Sequence, residues 1–360
     1  MKKTIITASL CIITSNLFAQ TEKNIDLKPD QQSDQSVKKD NDKDFEQWIK
    51  ENKVPNVGLG IIRNGKIEKI KVYGTLMKGN AAPENTLFNV ASLTKPMTAI
   101  VVLKLVSAGK WNLDESLDKY WTDPDIAQDP RNKKLTTRII LSHQTGFPNW
   151  RSMNADGKLN FQFDPGTKYQ YSGEGFEYLR RALEKKFNKT LNQLAEELIF
   201  RPLKMNDTSY IWNEKKDVIR FSEGYDKDGK MYETVKTETS NAADDLMTTV
   251  SDYSQFLISV MNGDGLSKKV FKDMKTSQVT TKQGKSFGLG FEIYDLGDGN
   301  IALSHSGADK GVQTLFVIIP KTKDGIVIFT NVDDGYKVYE KLLTEYLGNY
   351  GRKVIDIETK

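Results

Sequence analysis

The 360-residue chain is 38% hydrophobic and 28% charged, enough apolar content for one large domain or two closely packed ones. Its net charge is +4, with acids and bases interleaved and no long basic run, so composition gives nucleic-acid binding no support. The only cysteine, Cys11, lies in the first apolar stretch. A chain cleaved after that stretch would hold neither a disulfide nor a catalytic thiol.

Residues 1–19 read as a secretory signal. Lys2 and Lys3 form the charged start, residues 5–13 the apolar core, and Ala19 a suitable last residue. The apolar run is too short to span a bilayer, and no membrane-crossing segment is expected in the mature chain. Leu10 is larger than the residue a lipoprotein signal carries before its cysteine. An exported protein, periplasmic or secreted, is therefore favoured over a lipid-anchored one. Residues 20–43 are polar and read as a flexible linker. The folded domain is expected over 44–350, with a tail over 351–360.

Within that domain a short helix surrounds Phe45-Glu-Gln-Trp48-Ile49. Strands follow over 57–62 and 66–72, joined by Arg63-Asn64-Gly65, where Asn-Gly is a strong hairpin signal. A helix next carries apolar residues at Met97, Ile100, Val101, Leu103, Leu105 and Val106, and Gly109 stops it. Residues 110–285 form a mostly helical insert, with helices over 136–142, 174–187, 190–200, 252–261 and 267–274. A loop fills 149–168. From 286 the period becomes that of strands: 287–294, 301–306, 312–319 and 326–330. Asp298-Gly299 and Asp324-Gly325 read as the hairpin turns, and 336–347 as a closing helix. The fold class is α+β. One antiparallel sheet joins both sets of strands, helices flank it, and a helical subdomain is inserted.

The stretch with most chemistry is Ala91-Ser92-Leu-Thr-Lys95-Pro96. Residues three apart share a helix face, so Ser92 and Lys95 sit side by side. Pro96 is tolerated only near a helix start, which puts free N–H groups and the positive end of the dipole beside Ser92. A lysine neighbour and a helix N-terminus both favour a serine nucleophile. Tyr171-Ser-Gly173 follows a Pro-Gly turn. A tyrosine near a lysine ammonium has a lowered pKa and can act as a base. His305-Ser306-Gly307-Ala308 ends a strand, and its small residues allow close approach to the backbone. A backbone N–H there can pair with that of Ser92 as an oxyanion hole.

The chain has two histidines, His143 and His305. Either could complete a Ser-His-Asp triad, but Lys95 already offers Ser92 a base at fixed spacing. His143 reads as a loop-fixing residue, and His305 as a substrate-contacting or loop-fixing one. Two distant histidines make no zinc set, so no metal or other cofactor is expected.

Taken in order, these stretches resemble the serine β-lactamase and penicillin-recognising superfamily, specifically its class C-like serine hydrolases. That branch includes D-alanyl-D-alanine carboxypeptidases, D-aminopeptidases and carboxylesterases. Ala91-Ser-Leu-Thr-Lys95 looks like the Ser-x-x-Lys motif, and Leu141-Ser-His-Gln-Thr-Gly146 like its Leu-Ser-His-Thr-Ser-Gly stretch. Tyr171-Ser-Gly173 stands where the family has Tyr-x-Asn, and Phe200-Arg-Pro-Leu-Lys-Met-Asn-Asp-Thr208 matches a Pro-Leu-Gly-Met stretch. His305-Ser306-Gly307 stands where lactamases have Lys-Thr-Gly.

The resemblance implies Ser92 as acylated nucleophile, Lys95 as its proton partner and Tyr171 as a proton shuttle. It implies Ser92 and Ala308 N–H groups as the oxyanion hole, and Gly173, His305, Ser306 and Gly307 as substrate-binding positions. Gly173 replaces an asparagine whose amide would contact substrate. His305 replaces a lysine that would attract a carboxylate, and Asp244-Asp245 stands where Gly-Gly is common. These departures favour an ester or amide without a free carboxylate, so esterase or peptidase is slightly ahead of β-lactamase. The substrate is a small molecule or peptide. The alternative is a weakly catalytic penicillin-binding-like protein that captures cell-wall peptide or a protein partner.

Overall fold

The computed structural model describes residues 40–76, 79–214 and 218–360. The signal reading of 1–19 and most of the linker lie outside them. In chain order the elements are helix α1 (Asp40–Glu51), β1 (Asn56–Arg63), β2 (Lys66–Gly74), β3 (Phe88–Asn89), a 3-10 turn (Ala91–Leu93) and α2 (Thr94–Ser107). Then come α3 (Thr137–Leu141), α4 (Gly173–Phe187), α5 (Leu191–Ala195), β4 (Met247–Thr248), α6 (Val250–Asn262) and α7 (Lys268–Met274). The chain closes with β5 (Val279–Lys282), β6 (Lys285–Phe287), β7 (Glu292–Gly297), β8 (Asn300–Asp309), β9 (Val312–Ile319), β10 (Asp324–Thr330) and α8 (Tyr339–Thr359).

The expected joining of early and late strands is present. An eight-stranded antiparallel sheet runs β2-β1-β10-β9-β8-β7-β6-β5, so β1 pairs with β10 from the far end of the chain. Asn64 and Gly65 both have positive φ, 50° and 73°, as a tight β1–β2 hairpin turn requires.

Alternation along the strands gives the sheet two apolar faces. Val57, Leu59 and Ile61 of β1, with Ile326 and Ile328 of β10, pack towards α1 and α8. Val327, Phe329, Phe316 and Ile318 face the opposite layer, which holds α2, α6 and the helical subdomain. Gly58 and Gly60 bring α6 close on that side: a Cβ on Gly60 would lie 2.8 Å from Val250 Cγ1. Helix α2 is buried on nearly every side, as a helix apolar all round must be. It lies between sheet and subdomain. Most helix starts are capped as their sequences suggest. Thr249 accepts from Asp252 N–H at α6, and Thr190 and Gln193 form a capping box at α5.

Four boundaries differ from the sequence reading. Residues 40–43 belong to α1 rather than to a linker, and Asp42 accepts hydrogen bonds from Tyr73 (2.7 Å) and Lys69 (2.6 Å). The expected strand 287–294 is broken at Gly288-Leu-Gly290, where Gly290 turns with φ 87°. Asp324-Gly325 is inside β10, paired with Ile319 and Ile318, so the β9–β10 turn falls just before it. The tail over 351–360 is helical: α8 bends at Gly348 and continues to Thr359. Val354 is buried, and Glu358 pairs with Lys285 (2.6 Å) and Lys282 (3.2 Å), which hold the last turns on the sheet.

Candidate active site

The site lies where α2, the start of α4, β8 and the segment 241–246 converge. Its centre is the turn before α2. Ala91 has φ 46°, a left-handed conformation that costs a non-glycine residue free energy. It is held there because its N–H donates to Asn89 Oδ1 at 2.7 Å. Asn89 Nδ2 in turn donates to Asp245 Oδ1 at 3.3 Å. Tyr253, buried on α6, donates its hydroxyl to Leu93 O at 2.8 Å. Ser92 is thus presented on a turn fixed from three directions.

Lys95 is buried, and its Nζ donates to Ser92 Oγ and to Ala243 O, each at 2.9 Å. Its ammonium also lies 4.7 Å from the centroid of the Tyr171 ring. Burial pushes the Lys95 pKa down to about 8, against the opposing pull of the nearby Asp244 carboxylate. Tyr171 shares a hydrogen bond with Ser92. Its pKa nevertheless stands well above that of an ordinary phenol, because burial outweighs that bond. The expectation of a lowered tyrosine pKa is therefore wrong for this site. Lys95 meets the ring face, and desolvation disfavours the phenolate. Of the groups that touch Ser92, Lys95 is the one brought towards neutral pH.

Strand β8 forms the other wall. A Cβ on Gly307 would lie 2.5 Å from Val90 O and 3.0 Å from Ser92 N, so only glycine lets the strand approach the turn this closely. Thr314 on β9 donates to Val90 O at 2.9 Å and ties the turn to the sheet. Asp309 pairs with Val312 across a two-residue turn, which makes that pair, and Gly307–Thr314 beyond it, the mutually hydrogen-bonded ones. Ala308, between them, turns its N–H away from β9, towards the side where β7 has not yet begun at Glu292. Ser306 and Ala308 are exposed.

Neither histidine is placed as a base for Ser92. His143 is buried with φ 55°, and its Nδ1 accepts from Ser172 N–H at 3.1 Å. Its ring packs 4.3 Å from Tyr171, centroid to centroid, and so supports the tyrosine. His305 Nδ1 bonds to Ser306 O at 2.7 Å. Burial, with Lys95 nearby, pushes its pKa down to about 3, so it is neutral. The Nε2 atoms of both rings are buried without a hydrogen-bond partner among the described residues.

Three features escaped the sequence reading. The Asp244-Asp245 pair has a structural meaning. Asp245 adopts φ 67°, the conformation for which Gly-Gly is suited and Asp tolerated. Its N–H donates to Asp244 Oδ1 at 3.0 Å, and its carboxylate supports Asn89. Second, Asp244, Asp245 and Asp309 bring carboxylate oxygens within 4.8 Å of one another. Burial and the neighbouring Asp245 push the Asp244 pKa up to about 7. Third, Gly173 has no room for a side chain: a Cβ would lie 2.6 Å from Trp150 Cη2. The only sequence signal for these was the pair of departures from the family pattern.

A family model described as "Beta-lactamase" matches residues 41–346. The chain belongs to the beta-lactamase family. Members of that family are mostly serine hydrolases. Protein flp of Staphylococcus aureus (strain MW2) is 22% identical over 335 residues, which cover 85% of this chain. The chain spans 66% of that relative's length. Among solved structures, the octameric penicillin-binding protein homologue from Pyrococcus abyssi aligns with a TM-score of 0.73 at 22% identity, over 85% of this chain and 76% of that one. The D-alanine carboxypeptidase AmpC from Burkholderia cenocepacia aligns with a TM-score of 0.70 at 18% identity, over 88% and 99%. At such identities these likenesses establish the beta-lactamase fold. The site's own geometry carries the chemistry.

Proposed function

We propose that this protein is a serine hydrolase acting through an acyl-enzyme on esters or amides that carry no free carboxylate. The observation that carries the reading is the buried Lys95 Nζ at 2.9 Å from Ser92 Oγ, titrating near 8. Neutral Lys95 takes the Ser92 proton as Oγ attacks the substrate carbonyl carbon. The N–H groups of Ser92 and Ala308 hold the developing oxyanion. The carbonyl–heteroatom bond then breaks, and the proton passes through Lys95 and Tyr171 to the leaving alcohol or amine. Water attacks the acyl-enzyme with the same groups acting in reverse, releasing the acid and restoring Ser92 Oγ–H.

The substrate preference follows from charge. His305 stands neutral where a lysine would attract a carboxylate, and the carboxyl groups of Asp244, Asp245 and Asp309 crowd the neighbouring wall. An anionic substrate meets these carboxyl groups without the lysine that would anchor its carboxylate at position 305. Residues 1–19, read as an export signal, add that the enzyme works outside the cytoplasm. Initial rates with a short-chain p-nitrophenyl ester, a D-Ala-D-Ala peptide and a cephalosporin test the assignment. The ester is expected to have the highest kcat/KM, lost in Lys95→Ala. Faster turnover of either carboxylate-bearing substrate contradicts it, and a stable adduct without turnover favours the binding-protein alternative.

A further inference from the structure

The third position of Tyr171-Ser-Gly173 holds an indole supplied from elsewhere in the chain. Gly173 opens α4, two residues after Tyr171. A Cβ there would lie 2.6 Å from Trp150 Cη2, 2.7 Å from Cζ2 and 3.0 Å from Cζ3. The far edge of the six-membered ring therefore occupies the space in which an asparagine side chain would begin.

The indole is held in that place from both sides in sequence. Before it, Asn149 Oδ1 accepts from Gly173 N–H at 2.8 Å, and Asn149 O accepts from Glu174 N–H at 3.0 Å. After it, Arg151 N–H donates to Glu174 Oε1 at 2.9 Å. The Arg151 guanidinium forks onto Glu174 (2.9 Å) and Asp123 (2.7 Å), both nearly buried, and reaches Asp125 at 3.2 Å. Ser172 adds a bond from its hydroxyl to Pro148 O at 2.8 Å. Segment 148–151 is thus bolted to the first turn of α4. Trp150 is half-buried, and its ring edge meets Gly173, two residues after Tyr171.

We propose that Trp150 is the specificity-determining residue of the acyl-side pocket, and that it selects acyl groups bearing an aromatic or flat apolar substituent by stacking. This rests on the serine hydrolase reading of the Ser92 site. An asparagine amide offers hydrogen bonds and rewards an amide in the substrate. An indole offers a broad apolar face, its aromatic contacts being offset or edge-to-face. A pocket built this way discriminates by area and ring geometry, so the expected selectivity is modest.

The test compares kcat/KM for p-nitrophenyl phenylacetate and p-nitrophenyl acetate in wild type, Trp150→Phe and Trp150→Leu. Both substitutions keep an apolar side chain, which guards the fold. The phenylacetate-to-acetate ratio is expected to fall about fivefold or more in Trp150→Leu and to stay within about twofold in Trp150→Phe. Gly173→Asn, which must displace the ring, is expected to lower the ratio as Leu does. Acetate turnover that depends on Ser92 with a ratio unmoved by Trp150→Leu overturns the inference alone. Wild type that turns over neither ester overturns the hydrolase reading and this inference with it.

Discussion

The proposed mechanism makes a definite statement about pH, because in it one buried amine governs the first step. Lys95 must be neutral to accept the Ser92 proton, and it titrates at about 8. Roughly one molecule in eleven then carries neutral Lys95 at pH 7 and roughly ten in eleven at pH 9. For an ester whose acylation is rate-limiting, kcat/KM should rise about tenfold over that interval on a single basic limb. Asp244 supplies the control. Its carboxyl titrates at about 7, so it goes from about half ionised at pH 7 to almost fully ionised at pH 9, and its charge raises the Lys95 pKa. Asp244→Asn removes the charge and should move the limb to lower pH by about half a unit to one unit. The assay is initial-rate hydrolysis of p-nitrophenyl acetate at the isosbestic wavelength of the product. The rate of Ser92→Ala is subtracted at each pH as the background. A limb at or below about 6.5 would point to a histidine base and refute the reasoning. A limb at 8 that Asp244→Asn leaves in place would refute the coupling of Asp244 to Lys95.

Two further outcomes follow from local geometry. Tyr171→Phe keeps the ring that packs on His143 but removes the hydroxyl, and kcat for p-nitrophenyl esters should fall about a hundredfold or more, with thermal stability little changed. Gly60→Ala pushes a methyl towards Ser254 and to 2.8 Å from Val250 Cγ1. It should cost about 1–3 kcal/mol in urea unfolding while leaving kcat per folded molecule unaltered.

The contrast between what the residues reveal and what they conceal has physical causes. The β1–β2 hairpin was legible because Asn64-Gly65 supplies the backbone conformation that its turn needs. Ser92 and Lys95 were legible because a three-residue spacing across the 3-10 turn and the first turn of α2 fixes their proximity. Asp324-Gly325 was misleading, since a glycine allowed in a turn is equally allowed within a strand. Strand β5 (Val279–Lys282) went unread because a short edge strand with polar residues carries little apolar alternation. Helix α8 outran its expected end because Glu358 finds cations on neighbouring strands, a long-range pairing that Gly348 and Gly351 disguise.

Within the site the hidden features all depend on burial or on distant contacts. The direction of the Tyr171 shift is set by desolvation, which spacing does not encode. Asp245 supports Ser92 through Asn89, across 156 positions in sequence. Trp150 reaches Gly173 only because Asn149 and Arg151 are both tied to α4. The sequence showed that position 173 lacked its asparagine, and the structure shows what took its place.

The central claim is that Ser92 is the nucleophile, and intact-protein mass after exposure to a fluorophosphonate tests it most directly. Wild type should gain the mass of one phosphonyl group, and Ser92→Ala none under the same exposure. An unmodified wild type, or an adduct that persists in Ser92→Ala, would contradict the account.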